Sequence, residues 1–252
     1  MGSTLKESDE LVNGEESDGS FYSNAANYWS KVPPTVDGML GGFGVISHTD
    51  ISGSEKFLKL IYKWPNPPGN RTAVDCGAGI GRITKCLLQN HFENIDLVEQ
   101  NPNFLEEAKK SLSNCKKIGS YFPIGLQNFI PEAGKYDVIW CQWVLGHLTD
   151  EDFMKFFQRC REGLSNDGVI VVKENISADE VVRDDLDSSV TRPLKALKSL
   201  LHQAGLKILL NHRQRKFPSG LLEVRMLALR PAPVSIADGG DLNSQENSME
   251  AG

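Results

Sequence analysis

The sequence predicts an α/β fold: a seven-stranded, mostly parallel sheet with a closing antiparallel pair, helices on its faces and a helical cover from the N-terminal side. Three observations predict it. The apolar run Ala73-Val74-Asp75-Cys76 breaks into the alternate glycines Gly77, Gly79 and Gly81 just before a helical pattern. A second apolar run, residues 95–98, ends in Glu99, 22 positions after Gly77. Further apolar runs alternate with amphipathic segments, and the last two, 206–210 and 221–229, read as an antiparallel pair.

Composition sets the frame. At 252 residues, 40% hydrophobic and 24% charged, the chain predicts one domain over residues 21–230 with a tail at either end. Residues 1–20 hold six acids against Lys6, and 231–252 hold four acids and no base, so the net charge of −6 lies in the tails and the 21–230 segment is slightly basic at +3. Both tails are rich in Ser, Gly, Asn and acids and predict disorder, because they bury too little apolar surface to offset the ordering of the chain. No apolar run approaches the ~20 residues of a bilayer span, and no basic-then-apolar leader opens the chain, so no membrane association is expected. The five cysteines (Cys76, Cys86, Cys115, Cys141 and Cys160) are dispersed and predict neither disulfides nor a metal site. No basic stripe with interleaved aromatics points to nucleic acid.

Taken in order, residues 21–29 place Phe21, Tyr22, Ala25, Ala26, Tyr28 and Trp29 near one helical face. Residues 33–44 are too glycine-rich for a regular element and too apolar for a solvated linker, which predicts a loop folded back over a site. Residues 54–63 predict a helix capped by Ser54 and stopped by Pro65. After the Val74 strand, glycines bend the chain and let a ligand lie against the main chain. Their spacing departs from the dinucleotide fingerprint G-x-G-x-x-G, because counted from Gly77 the third glycine would fall at Arg82. A helix over 82–91 follows, then the strand ending in Glu99, whose carboxylate is placed to accept bonds from two ribose hydroxyls. Pro102 opens the next helix.

A third strand is expected over 121–126, with Gln127 just beyond it. Residues 136–140 are apolar but for Asp137, as suits a buried parallel strand, and Gln142, Trp143 and His147 follow at its carboxyl end, where open α/β sheets hold ligands. Phe153, Phe156, Phe157 and Cys160 recur at helical spacing in 150–164 and belong to the core. A turn at Asn166-Asp167-Gly168 leads to the strand 169–173, which ends at Glu174 and Asn175. The acidic stretch 182–189 is positioned to overhang the face that carries Trp143 and His147. A helix over 192–204 precedes the closing pair.

The segments 77–82, 140–150, 172–175 and 185–190, together with Tyr28-Trp29 and Pro33-Pro34-Thr35-Val36-Asp37-Gly38-Met39-Leu40-Gly41-Gly42, resemble the protein α-N-terminal methyltransferases, which act on exposed Xaa-Pro-Lys ends. The resemblance covers residues 21–230 and implies the Rossmann-like class I methyltransferase fold with S-adenosylmethionine as cofactor. It implies that Gly77, Gly79, Arg82, Glu99, Leu126, Gln127 and Gln142 hold that cofactor. Trp29, Leu40, Trp143, Asn175, Asp184, Asp187 and Ser189 would line a channel for the substrate's N-terminal tail. The catalytic set would be Asp187, His147 and Asn175, with Asp187 and His147 deprotonating the α-amine for an in-line methyl transfer that needs no metal. Leu222 stands where relatives carry a Tyr at the channel wall, which removes a hydroxyl contact and bears on first-residue preference. A nuclear as well as cytoplasmic location is implied by the family alone. Two other readings compete: a small-molecule amine methyltransferase, for which the acidic loop has no use, and a cofactor-binding regulatory partner of an active homologue, which would bind the donor without turnover.

Overall fold

Three helices precede the sheet in the computed structural model, which describes residues 18–233: α1 (Asp18–Lys31), α2 (Val36–Met39) and α3 (Ser47–Ile61). There follow β1 (Thr72–Cys76), α4 (Arg82–Cys86), β2 (Asn94–Val98), α5 (Pro102–Ser111), β3 (Ile118–Phe122), β4 (Tyr136–Gln142), α6 (Asp150–Gly163) and β5 (Leu164–Ile176). A small hairpin of β6 (Val182–Asp184) and β7 (Ser189–Thr191) comes next, then α7 (Leu194–Gln203), β8 (Leu206–Arg213) and β9 (Glu223–Pro231). The seven strands of the main sheet lie in the order β3-β2-β1-β4-β5-β9-β8. β9 runs antiparallel to both of its neighbours, and every other pair is parallel. This is the predicted architecture.

Successive strand side chains point to opposite faces, so each central strand feeds two cores. Val74, Ile139, Ile170 and Val172 pack under Phe153, Phe156 and Phe157 of α6 and Leu197 and Leu201 of α7. Ala73, Val138, Trp140, Val169 and Val171 pack under Phe57, Leu58 and Ile61 of α3 and Ile83 of α4. Among the described residues no helix is long and apolar enough to cross a membrane, and no group of His, Cys, Asp and Glu is placed to hold a metal ion.

Several boundaries differ from the sequence expectation, each for a physical reason. α1 begins at Asp18, inside the expected tail; what remains of both tails, 1–17 and 234–252, lies outside the described residues. α3 begins at Ser47, so Ser54 is a buried interior residue and not a cap. Gly53 and Ser54 are small because the helix packs on polar groups there: a Cβ at Gly53 would lie 2.0 Å from Gln214 Oε1, and Ser54 Oγ accepts from Lys173 Nζ at 2.9 Å. The helix expected over 82–91 stops at Cys86 and resumes as a 3-10 turn, Leu88–Asn90, which lets both Leu87 and Leu88 reach the core. β3 ends at Phe122 because Pro123 has no N–H for the ladder, and Leu126 and Gln127 follow in a turn. β5 starts at Leu164, and Asn166-Asp167-Gly168 is a register shift within it, with Asp167 at φ +60°. The loop over 33–44 carries the one-turn helix α2, capped by Thr35, whose Oγ1 accepts from Gly38 N.

Candidate active site

β1 and β4 pair in parallel and end side by side, Cys76 beside Cys141, so the segments that follow them share one edge of the sheet. After β1 the glycine turn is left-handed at Gly77, Gly79 and Gly81, with φ of +70°, +55° and +75°. Gly77 also has no room for a side chain, since a Cβ would lie 2.4 Å from Val144 Cγ2. Asp75 fastens the turn to α4: its Oδ2 accepts from Thr84 N at 3.1 Å and Thr84 Oγ1 at 2.7 Å. Burial pushes the Asp75 carboxyl up to about 6. Glu99, just past β2, accepts from Gly79 N at 2.9 Å and from Asn101 N at 2.7 Å, which holds its carboxylate at the rim of the turn.

Behind the turn lies a polar cluster that sequence reading missed. Asp50 of α3 and Lys173 of β5 are both 0% exposed and pair at 2.5 Å. Asp50 also accepts from Arg82 Nη1 at 2.7 Å and from Gln142 Nε2 at 2.9 Å and 3.0 Å. Lys173 Nζ donates to Asp50 O, Ser54 Oγ and Gln214 Oε1. Arg82 and Lys173 thus meet on one carboxylate, and burial lowers the pKa of the Lys173 amine against the pull of Asp50. Among the described residues Arg82 donates through Nη1, to Asp50 and Ser47, which leaves its Nη2 edge for an incoming acceptor. Lys173 and Asp50 carried no signal in the sequence beyond a lysine at the end of an apolar strand and an acid in a helix.

Two cavities open at this edge. The first, of about 270 Å³, is lined by all seven residues expected to hold a cofactor: Gly77, Gly79, Arg82, Glu99, Leu126, Gln127 and Gln142. The second, of about 560 Å³, is lined by all seven residues expected along a peptide channel: Trp29, Leu40, Trp143, Asn175, Asp184, Asp187 and Ser189. Trp29, Met39, Trp143 and His147 line both, so the cavities meet there. Met39, Phe217 and Glu174 are lining residues that sequence reading did not assign. Leu222 lines the second cavity at its rim and is 51% exposed.

The polar atoms at the junction fall into two kinds. His147 is fully engaged: Trp29 Nε1 donates to its Nε2 at 3.0 Å, and its Nδ1 donates to Ser188 O at 3.2 Å. Those partners select the neutral tautomer with the proton on Nδ1, and burial lowers the pKa of the ring further. By contrast, Asp187 Oδ1 and Trp143 Nε1 are buried with no partner among the described residues. A buried acceptor and a buried donor left unpaired in one cavity cost free energy, which a ligand bringing both an N–H and a carbonyl would recover. Trp143 is held at φ +53°, an unusual backbone for a non-glycine residue, with Arg82 and Lys173 each over its ring, 5.7 Å and 5.9 Å from the centroid. Beneath it, Glu174 Oε1 accepts from Val144 N and Leu145 N, each at 2.8 Å. Burial pushes the Glu174 carboxyl up to about 7, against the pull of those N–H groups. Asp184 is exposed at the hairpin and accepts from Leu186 N at 2.9 Å.

The profile of the family described as AdoMet dependent proline di-methyltransferase matches residues 17–230. The N-terminal Xaa-Pro-Lys N-methyltransferase 1-A of Xenopus laevis is 50% identical over 226 residues, 88% of this chain and 100% of that protein. The corresponding human N-terminal Xaa-Pro-Lys N-methyltransferase 1 is 47% identical over 217 residues, covering 85% and 97%. A SAM-dependent methyltransferase of Leishmania major has a structure that superposes with a TM-score of 0.80 at 38% identity, over 83% of each chain. The 1,6-didemethyltoxoflavin-N1-methyltransferase of Burkholderia thailandensis, only 14% identical, shares the fold with a TM-score of 0.66 over 88% of this chain and 93% of its own.

Proposed function

The chain belongs to the AdoMet-dependent proline di-methyltransferase family, and from that premise we propose that it methylates the α-amino group of proteins whose exposed N-terminus reads Xaa-Pro-Lys. The observation that carries the proposal is the meeting of the two cavities at Trp29, Trp143 and His147, one ringed by glycine turn, Arg82 and Glu99, the other by Asn175 and the acidic hairpin. S-adenosylmethionine, when bound, supplies an electrophilic methyl group carried on a sulfonium. The first cavity fits it: Arg82 would pair with its carboxylate, Glu99 would accept from the ribose hydroxyls, and Leu126 and Gln127 would flank the adenine.

In the second cavity the tail enters amine first. An α-amine of pKa about 7.7–8.0 is mostly protonated at neutral pH and has no lone pair to offer until a base takes the proton. Asp187 is that base in our reading, because Oδ1 is unpaired and buried, whereas His147 has both nitrogens occupied. His147 stands near Asp187 as a neutral neighbour whose Nε2 fixes the Trp29 ring. Asn175 and Trp143 Nε1 are donors for the peptide carbonyls, and the Trp143 ring is a flat wall for the proline, which has no N–H to satisfy. Asp184 and Ser189 face the third-position lysine.

The competing small-molecule reading is tested by a peptide panel. A hexapeptide beginning Ser-Pro-Lys should be methylated, with kcat/KM falling at least about tenfold when Pro or Lys is replaced by Ala, the loss of roughly one good contact. Equal rates across the panel would rule out Xaa-Pro-Lys recognition, and donor binding without any product would favour a regulatory role.

A further inference from the structure

The junction between the cavities is formed by a segment that makes little structure of its own. Residues 143–148 run from a left-handed tryptophan into a single 3-10 turn, Leu145–His147, which has no side-chain cap at its own N-terminus. Yet Trp143 and His147, at its two ends, face both cavities. Something outside the segment must set it.

Two partners do so, from opposite sides. Three successive amides are taken by one stretch of β5: Trp143 N donates to Lys173 O at 3.0 Å, and Val144 N and Leu145 N both donate to Glu174 Oε1 at 2.8 Å. The carbonyls are taken by Arg192, only 5% exposed, whose Nη1 donates to Leu145 O at 3.1 Å and Nη2 to Leu148 O at 2.7 Å, while Nε donates to Asp150 Oδ1 at 2.9 Å. Gly146 closes the fit, since a Cβ there would lie 3.0 Å from Val190 O of the hairpin. A carboxylate on amides and a guanidinium on carbonyls are charge-assisted bonds, stronger than the neutral bonds that a loop makes with itself.

We propose that Glu174 and Arg192 are positioning residues for methyl transfer: together they clamp the 143–148 segment so that Trp143 and His147 hold the incoming amine in line with the donor. The proposal rests on the peptide reading of the second cavity. The clamp acts on turnover more than on donor affinity, because the donor's charged anchors are held from elsewhere: Arg82 by Asp50, and Glu99 by the N–H groups of Gly79 and Asn101. Small displacements of groups that align reactants cost large factors in rate.

The test compares Glu174→Ala, Glu174→Gln and Arg192→Lys in the full chain, with kcat and KM on a Ser-Pro-Lys hexapeptide, donor affinity by calorimetry, and amide hydrogen exchange. Glu174→Ala should lower kcat at least about tenfold with donor Kd within about threefold, and Glu174→Gln, which keeps an acceptor oxygen, should recover most of that loss. Exchange at Val144 and Leu145 should quicken in Glu174→Ala while β4 stays protected, which separates a loosened segment from an unfolded protein. Parent-like turnover in Glu174→Ala, a donor Kd that weakens in step with kcat, or unchanged exchange at those two amides overturns the clamp. If the parent chain methylates no such peptide, the functional reading fails, and exchange alone still decides whether Glu174 holds the segment.

Discussion

At the scale of single residues, the division between Asp187 and His147 has a direct consequence. One has an unpaired oxygen in the second cavity; the other is held by Trp29 and Ser188. Asp187→Asn keeps the shape and removes the proton acceptor, so kcat should fall by about 10² to 10⁴, the usual worth of a positioned base. Donor affinity should hold, since Asp187 does not line the donor cavity. Calorimetry and single-turnover kinetics measure the two; a parallel loss of both would remove Asp187 from the proton's path. The individual positions expected from the sequence all fall in the two cavities, because motif residues sit where strands end and the chain must turn. Illegible were the residues that act on other residues: Asp50 is one acid among many in the sequence, and only the fold shows that it sits fully buried between Arg82, Gln142 and Lys173.

At the scale of elements, strands and their order were legible and helix ends were not. Runs such as residues 136–140, apolar but for Asp137, read as buried parallel strands. Ser54 read as a helix cap, but it and Gly53 are small because Gln214 and Lys173 press on α3 at that point. Pairing of a helix with a distant polar side chain leaves no local trace. The joint between β1 and α4 carries a pH signature. Asp75 is pushed up to about 6 from an ordinary 3.8, so the folded chain favours its neutral form. The stability it lends is complete below the ordinary value and is lost as pH rises through about 6. Asp75→Asn lacks that dependence. Between pH 4.5 and 7.5 the variant should therefore gain on the parent by about 2 kcal/mol, read from urea midpoints. A difference that stays flat or moves the other way would mean that Asp75 is charged in the folded protein.

At the scale of the whole molecule, the sheet sets the geometry by ending β1, β4 and β5 along one edge, and α1 with the 33–44 segment closes over that edge. Tyr22 of α1 donates to Asp152 at 2.5 Å and Asn101 Nδ2 donates to Trp29 O at 2.9 Å, so the cover is tied to both sides of the cleft. The arrangement makes two cavities with one shared wall, and in the proposed reading a tail's α-amine, not the lysine two residues on, meets the donor there. Fragmentation mass spectrometry of a Ser-Pro-Lys hexapeptide after incubation with S-adenosylmethionine tests this most directly. Methyl increments confined to the α-amine are predicted; no increment, or methyl groups on the lysine ε-amine, would contradict the account.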